Sequence, residues 1–166
     1  MLVLVTPRAV LWRLDEHRSN DAERARRLLS RVTLFTAHEA NAVAWLRYMF
    51  VYPHNGVAGS RLHLGKAIPR AWFAQPQPFK ADDVATPFGN VSVAYEPDPK
   101  ANAAKATVTF DPTHPPQQVL LRFRTPGKTP LRTVKINGNS ATPADAERGD
   151  VDITGQKGTT TVEVEF

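Results

Sequence analysis

The sequence predicts an α+β protein: a short N-terminal helical segment of two to three helices, then an antiparallel β-sandwich of about seven strands. Three observations lead there. Up to Tyr52 the apolar residues recur at intervals of three and four. From Leu62 onward they alternate with polar residues, and turn residues interrupt them about every ten positions. Thirteen of the fourteen prolines lie from Pro53 onward, and proline ends helices and is confined to strand edges and turns. The expected division is a helical segment over 1–58 and a sandwich over 59–166. A chain of 166 residues is long enough to bury a real core.

The elements follow in order. Residues 1–18 fit either a strand or a short helix, with Val10, Leu11, Trp12 and Leu14 as its apolar side. Asn20 is an N-cap for the next helix, and Asp21 and Glu23 in its first turn face the positive end of the helix dipole. Ala22, Ala25, Leu28, Leu29 and Val32 form its apolar stripe, leaving Arg24, Arg26, Arg27 and Arg31 to solvent. Thr36 and Glu39 have capping-box spacing and open a second helix over 37–52. Ala42, Val43, Leu46, Met49 and Phe50 share one side of it, and Trp45 and Tyr48 widen that side. Such a helix calls for neighbours on most faces. Pro53 to Gly59 reads as the loop that ends it.

Leu62–Leu64 is the first expected strand. Thr86–Asn90 is a turn, after which Val91, Val93 and Tyr95 alternate; Glu96–Lys100 is a loop. Ala106, Val108 and Phe110 make the next strand. Val119, Leu121 and Phe123 point one way and Arg122 and Arg124 the other. Val134 and Ile136 lead into Asn137-Gly138, a two-residue hairpin signal because both residues tolerate positive φ. Val151 and Ile153, then Val162, Val164 and Phe166, complete the set.

Composition excludes several functions. With no cysteine there is no disulfide and no thiolate metal site. The five histidines show no HxH or HExxH spacing, so no metal or cofactor is expected. Asp82 and Asp83 read as a solvated loop rather than a calcium site. No nucleophile elbow and no phosphate-cradling glycine loop is present. The apolar start Met1–Val5 is too short for a signal-peptide core or a membrane span, which leaves the cellular compartment open. Residues 1–70 carry 11 Lys+Arg against 5 Asp+Glu, and residues 71–166 carry 10 against 11. The basic excess sits mostly on the 24–31 helix, mixed with acids and without interleaved aromatics, so neither nucleic acid nor membrane is the expected partner.

Several runs together resemble one family. Trp45–Tyr52 and Arg61–Trp72 (RLHLGKAIPRAW) resemble the end of the catalytic (α/α)6 toroid and its exit in bacterial six-hairpin glycoside hydrolases. Thr86–Val93 resembles an early strand of the C-terminal β-sandwich of that family, and Leu131–Gly138 its late hairpin. The resemblance covers about residues 36–166 and implies the C-terminal region of such an enzyme. His38 matches the histidine that often opens the last toroid helix, but Ala40 stands where an aromatic follows in the family. The catalytic carboxylates of the family would lie on toroid helices that this chain has no room for.

Glycoside hydrolysis needs two carboxyl groups across the scissile bond. Glu39 is the only acid between residues 24 and 70, and its spacing from Thr36 assigns it to a helix cap. No catalytic residue is therefore expected; His38 and Glu39 are the weak candidates. Trp45 and Trp72 are the candidates for stacking on sugar, and both read first as core. The expected function is a non-catalytic accessory or structural sandwich domain, a fragment without the catalytic carboxylates. One alternative is a carbohydrate-binding module, which needs a row of exposed aromatics. The other is an interaction subunit that docks through its apolar helix pair, on a catalytic toroid or on a second copy through residues 37–52.

Overall fold

The computed structural model describes residues 41–56 and 59–166; the 20–35 helix and the cap of the second helix lie outside them. Helix α1, described from residue 41 to residue 50, runs without a break into strand β1 (Val51–Gly56). There follow β2 (Gly59–Leu64), the short helix α2 (Arg70–Phe73), β3 (Phe79–Thr86), β4 (Gly89–Asp98) and β5 (Ala103–Phe110). Then come β6 (Gln118–Arg122), β7 (Thr133–Ile136), β8 (Asn139–Ala141), β9 (Asp150–Asp152) and β10 (Gly158–Glu165). The strands form two sheets, one of four strands in the order β1-β2-β6-β9 and one of six in the order β3-β4-β5-β10-β7-β8. All pairings are antiparallel except β2 with β6, which run parallel. The sandwich belongs to the second of two compact units, Trp45–Phe166.

The fold class is the expected α+β one with a β-sandwich, and each alternating run noted above is a strand. Three further strands, β1, β3 and β8, complete the sheets. The second helix does not run to Tyr52. Val51 and Tyr52 already belong to β1, and Pro53 and His54 continue it rather than forming a loop. Proline is tolerated there because β1 is an edge strand. Its hairpin with β2 opens the four-stranded sheet. Glu96, Pro97 and Asp98 likewise extend β4. Pairing with β3 reaches only to Tyr95, so Pro97 sits where the strand has one neighbour, β5. Asp82 and Asp83 lie at a β-bulge in β3, not in a loop. The Asp83 N–H donates to Ser92 Oγ at 2.8 Å and its carboxylate accepts from Asn90 at 2.7 Å.

The core lies between the sheets. Val51, Leu62, Leu64, Val119, Leu121 and Val151 face it from the four-stranded sheet. Val91, Val93, Tyr95, Ala106, Val108, Val162 and Val164 face it from the other. Phe73, the only buried residue of α2, wedges in at one end and meets Tyr95 edge-on at 5.5 Å between ring centroids. Each such side chain contributes about 1.5–3 kcal/mol on burial. Asn137 (φ 50) and Gly138 (φ 80) make the two-residue β7–β8 turn that the sequence signals.

On the outer face of the six-stranded sheet the registers place Glu96, Lys105, Glu163 and Lys135 side by side on four consecutive strands. Opposite charges on neighbouring strands stabilise an exposed sheet face. This explains the shallow depression there, lined by these residues, as an ordinary solvated surface.

Candidate functional site

The outer face of the four-stranded sheet has a different chemistry. Alternation that buries Leu62 and Leu64 turns Arg61 and His63 outward on β2. Register places His54 of β1 beside Arg61 and Tyr52 beside His63. Parallel pairing of β2 with β6 brings Arg122 alongside, and the chain past β6 adds Arg124. Lys66, from the turn after β2, and Arg70, at the start of α2, close one side; Glu147 and Arg148, between β8 and β9, close the other. The result is an open cleft of about 640 Å³. Six Lys/Arg side chains and two histidines line it against one carboxylate.

Four of the six cations have partners, each of a different kind. Arg122 is fixed by a two-pronged ion pair with Asp150, 2.5 Å at Nε and 2.6 Å at the second nitrogen. Asp150 is buried, and the hydrogen bond to it holds the Arg122 guanidinium above its ordinary pKa. Arg70 donates to the Thr125 carbonyl at 2.6 Å. Lys66 Nζ sits 4.4 Å from the centre of the Tyr52 ring, a cation–π contact. Arg148 meets Asp145 at 3.5 Å. Arg61 and Arg124 have no hydrogen-bond or ion-pair partner among the described residues.

The crowding of positive charge registers on its members. Burial, then Arg124 and Arg122, push the Arg70 pKa down. Burial, then Lys66 and Arg122, push His63 down, with Arg61 adding and Asp150 opposing. Both shifts disfavour the charged form, as like charges and desolvation require. An anion placed in the cleft would offset the like-charge part of both shifts.

The cleft continues past Lys66 and Arg122 into a second depression, of about 450 Å³, walled by Trp45, Tyr48, Met49 and Tyr52. Trp45 is 65% exposed and Tyr48 44%. Trp45 is therefore not core: only Met49 and Phe50 of the α1 end pack on the sandwich interior. Trp72 is half-buried and packs on Phe50 and Phe79, at 6.0 and 5.3 Å between centroids. It lines a separate, smaller depression with Gln75, Gln77 and Pro78. The structure thus places the two tryptophans in different surfaces. His38 and Glu39 lie outside the described residues. Among the described residues no group of three His, Asp or Glu side chains is arranged to hold a metal ion, and no helix is long and apolar enough to cross a membrane.

The basic cleft escaped sequence reasoning, which located the positive excess on the 24–31 helix. The partial signal was the outward position of Arg122 and Arg124 on an alternating strand. Nothing in the sequence shows that Arg61 and Arg122, which are 61 positions apart, belong to neighbouring strands.

No family model matches the chain, and no curated protein matches it. A solved structure titled "Glycoside hydrolase" aligns with 52% of the chain at 17% identity and a TM-score of 0.37. The chain covers 14% of that structure's length. A glycoside hydrolase is thus a weak structural neighbour.

Proposed function

We propose that the sandwich is a non-catalytic accessory domain of a glycoside hydrolase, packed against a helical catalytic domain through the exposed side of α1. The observation that carries this reading is how the end of α1 is built into the sandwich. Phe50 is buried, and its carbonyl accepts the Gly65 N–H at 2.7 Å, while the Met49 carbonyl accepts that of Ala67 at 3.3 Å. The Arg47 side chain donates to the Ala85 carbonyl on β3. The helix end is therefore fixed in direction, yet Trp45 and Leu46 stand 65% and 55% exposed beside it. Large apolar side chains held at fixed positions in water suit a surface that another element covers. The same helix end and the turn after β2 are the runs that resemble a toroid exit, so a helical neighbour is the occupant that fits.

The test joins two measurements on the whole chain. Turnover is assayed on aryl glycosides and polysaccharides, and light scattering follows the wild type and a Trp45→Ser/Leu46→Ser variant. No turnover is expected, together with self-association that the double substitution weakens at least about tenfold, since two large apolar contacts are removed. Steady hydrolysis abolished by substituting a carboxylate of this chain overturns the reading. So does a wild type as monomeric as the variant at high concentration.

A further inference from the structure

We propose that the outer face of the β1–β2–β6 sheet binds an acidic oligosaccharide, a sugar chain bearing carboxylate or sulfate groups. The choice of a saccharide rests in part on the accessory-domain reading; the anionic character rests on the cleft alone. The cleft has six cationic side chains around about 640 Å³, a size that suits a few sugar rings. Five of the six are arginines: Arg61, Arg70, Arg122, Arg124 and Arg148, with Lys66 as the sixth. Arginine presents a planar fork that matches the two oxygens of a carboxylate or sulfate, which lysine does not.

The internal partners divide the set by role. Arg122 and Arg70 are already fixed, by Asp150 and by the Thr125 carbonyl. They supply positive field and a rigid floor. Arg61 and Arg124 carry their forks without a partner among the described residues and are the side chains that would grip the ligand. A bound anion would offset the repulsion among the cations of this lining. Glu147, the one carboxylate in the lining, stands at the rim with Arg148.

A nucleic acid strand is the competing polyanion, and the aromatics argue against it. Single strands are held by bases stacked on open ring faces. Tyr52, the aromatic ring within the cationic cluster, has Lys66 over it and His54 stacked beside it at 6.3 Å. Its face is taken. The open rings, Trp45 and Tyr48, lie at the far side of Lys66 and Arg122.

The experiment titrates the full chain, followed by NMR, with trigalacturonate, its neutral methyl ester, a sulfated disaccharide and an oligothymidylate of matched charge. The expected result is saturable binding of the carboxylated or the sulfated sugar, with shifts centred on Arg61, His63 and Arg124. The neutral ester should not bind. Salt should weaken the interaction. Arg61→Gln/Arg124→Gln should weaken it at least about tenfold, because two charge-assisted contacts are lost. Neither arginine is tied into the fold, so the variant should keep the wild-type melting temperature. Whichever acidic sugar binds identifies carboxylate or sulfate as the recognised group. Oligothymidylate binding as tight as the acidic sugars overturns the saccharide assignment in favour of nucleic acid. Binding of the ester as well as the acid, or an unchanged affinity in the double variant, overturns the site. Hydrolysis and self-association are read separately, so the accessory-domain reading can fail without this one, and the reverse.

Discussion

Gly65 shows how much one residue can hold in place. It follows β2 with a φ of 72°, a left-handed conformation that disfavours any side chain. Its N–H ties the turn to Phe50 at the end of α1. A Cβ built there would lie 2.1 Å from the Tyr95 hydroxyl and 2.7 Å from the Arg122 carbonyl oxygen. Those two groups are themselves partners, since Tyr95 Oη donates to that carbonyl at 3.3 Å. The Tyr95 side chain is fully buried, and burial pushes its phenol pKa up, so it stays a neutral donor. Gly65→Ala therefore strains the backbone by about 1–2 kcal/mol. It also displaces a buried hydroxyl from its acceptor, worth about 1–3 kcal/mol more. The expected loss is about 3 kcal/mol of unfolding free energy, read from the urea midpoint at unchanged m-value. A loss below about 1 kcal/mol would mean that the turn relaxes and that Gly65 does not set the contact between α1 and the sheet.

At the scale of elements, β6 and β9 depend on one ion pair. Their register sets Arg122 opposite Asp150, and the Asp150 side chain is 7% exposed. Asp150→Ala leaves a guanidinium 20% exposed without its ion-pair partner. Breaking a buried pair costs about 3–5 kcal/mol; partial access of Arg122 to water puts the expected loss near the lower end, about 3 kcal/mol. Adding Arg122→Leu should recover more than half of it in a denaturant titration, because the stranded charge is then gone. A double variant no more stable than Asp150→Ala would show that Asp150 acts through its backbone neighbours instead. The strands that alternate cleanly, β4, β5, β6 and β10, were legible because one face of each is buried and the other wet. Strand β1 was not legible. Its first residues continue the apolar run of α1, and Pro53 reads as a helix breaker unless the strand is known to be an edge. The Asp82–Asp83 bulge breaks the period of β3, and β8 is three residues long. The basic cleft was hidden for a topological reason. A parallel pair joins β2 to β6 after the chain has crossed to the other sheet and back, and no local pattern encodes that crossing.

At the scale of the whole molecule, the positive face couples stability to pH. The chain carries a formal net charge of +5 with histidines neutral, and part of that excess converges on one cleft. His63 stands within it. Burial comes first, then Lys66 and Arg122, with Arg61 adding and only Asp150 opposing; together they push its folded pKa below the ordinary 6.5. His54, beside Arg61 on the neighbouring strand, and the Glu147 carboxylate also line this face. With a folded pKa below the unfolded one, the unfolded chain binds more protons as pH falls through 6.5. The stabilisation from a neutral His63 is therefore fully present above that value. It is lost progressively as pH falls toward the lower folded pKa. Thermal melts at about pH 7.5 and about pH 5.5 should show a larger drop in Tm for the wild type than for His63→Gln. The two proteins differ at this one position, so every other contribution cancels in the comparison. Equal drops would mean that neither burial nor the neighbouring cations lower the imidazole pKa. An anion in the cleft reverses the sign of its surroundings, so a saturating acidic sugar should raise Tm more at the lower pH than at the higher. The same pair of melts thus joins the electrostatics of the fold to the ligand proposed for it.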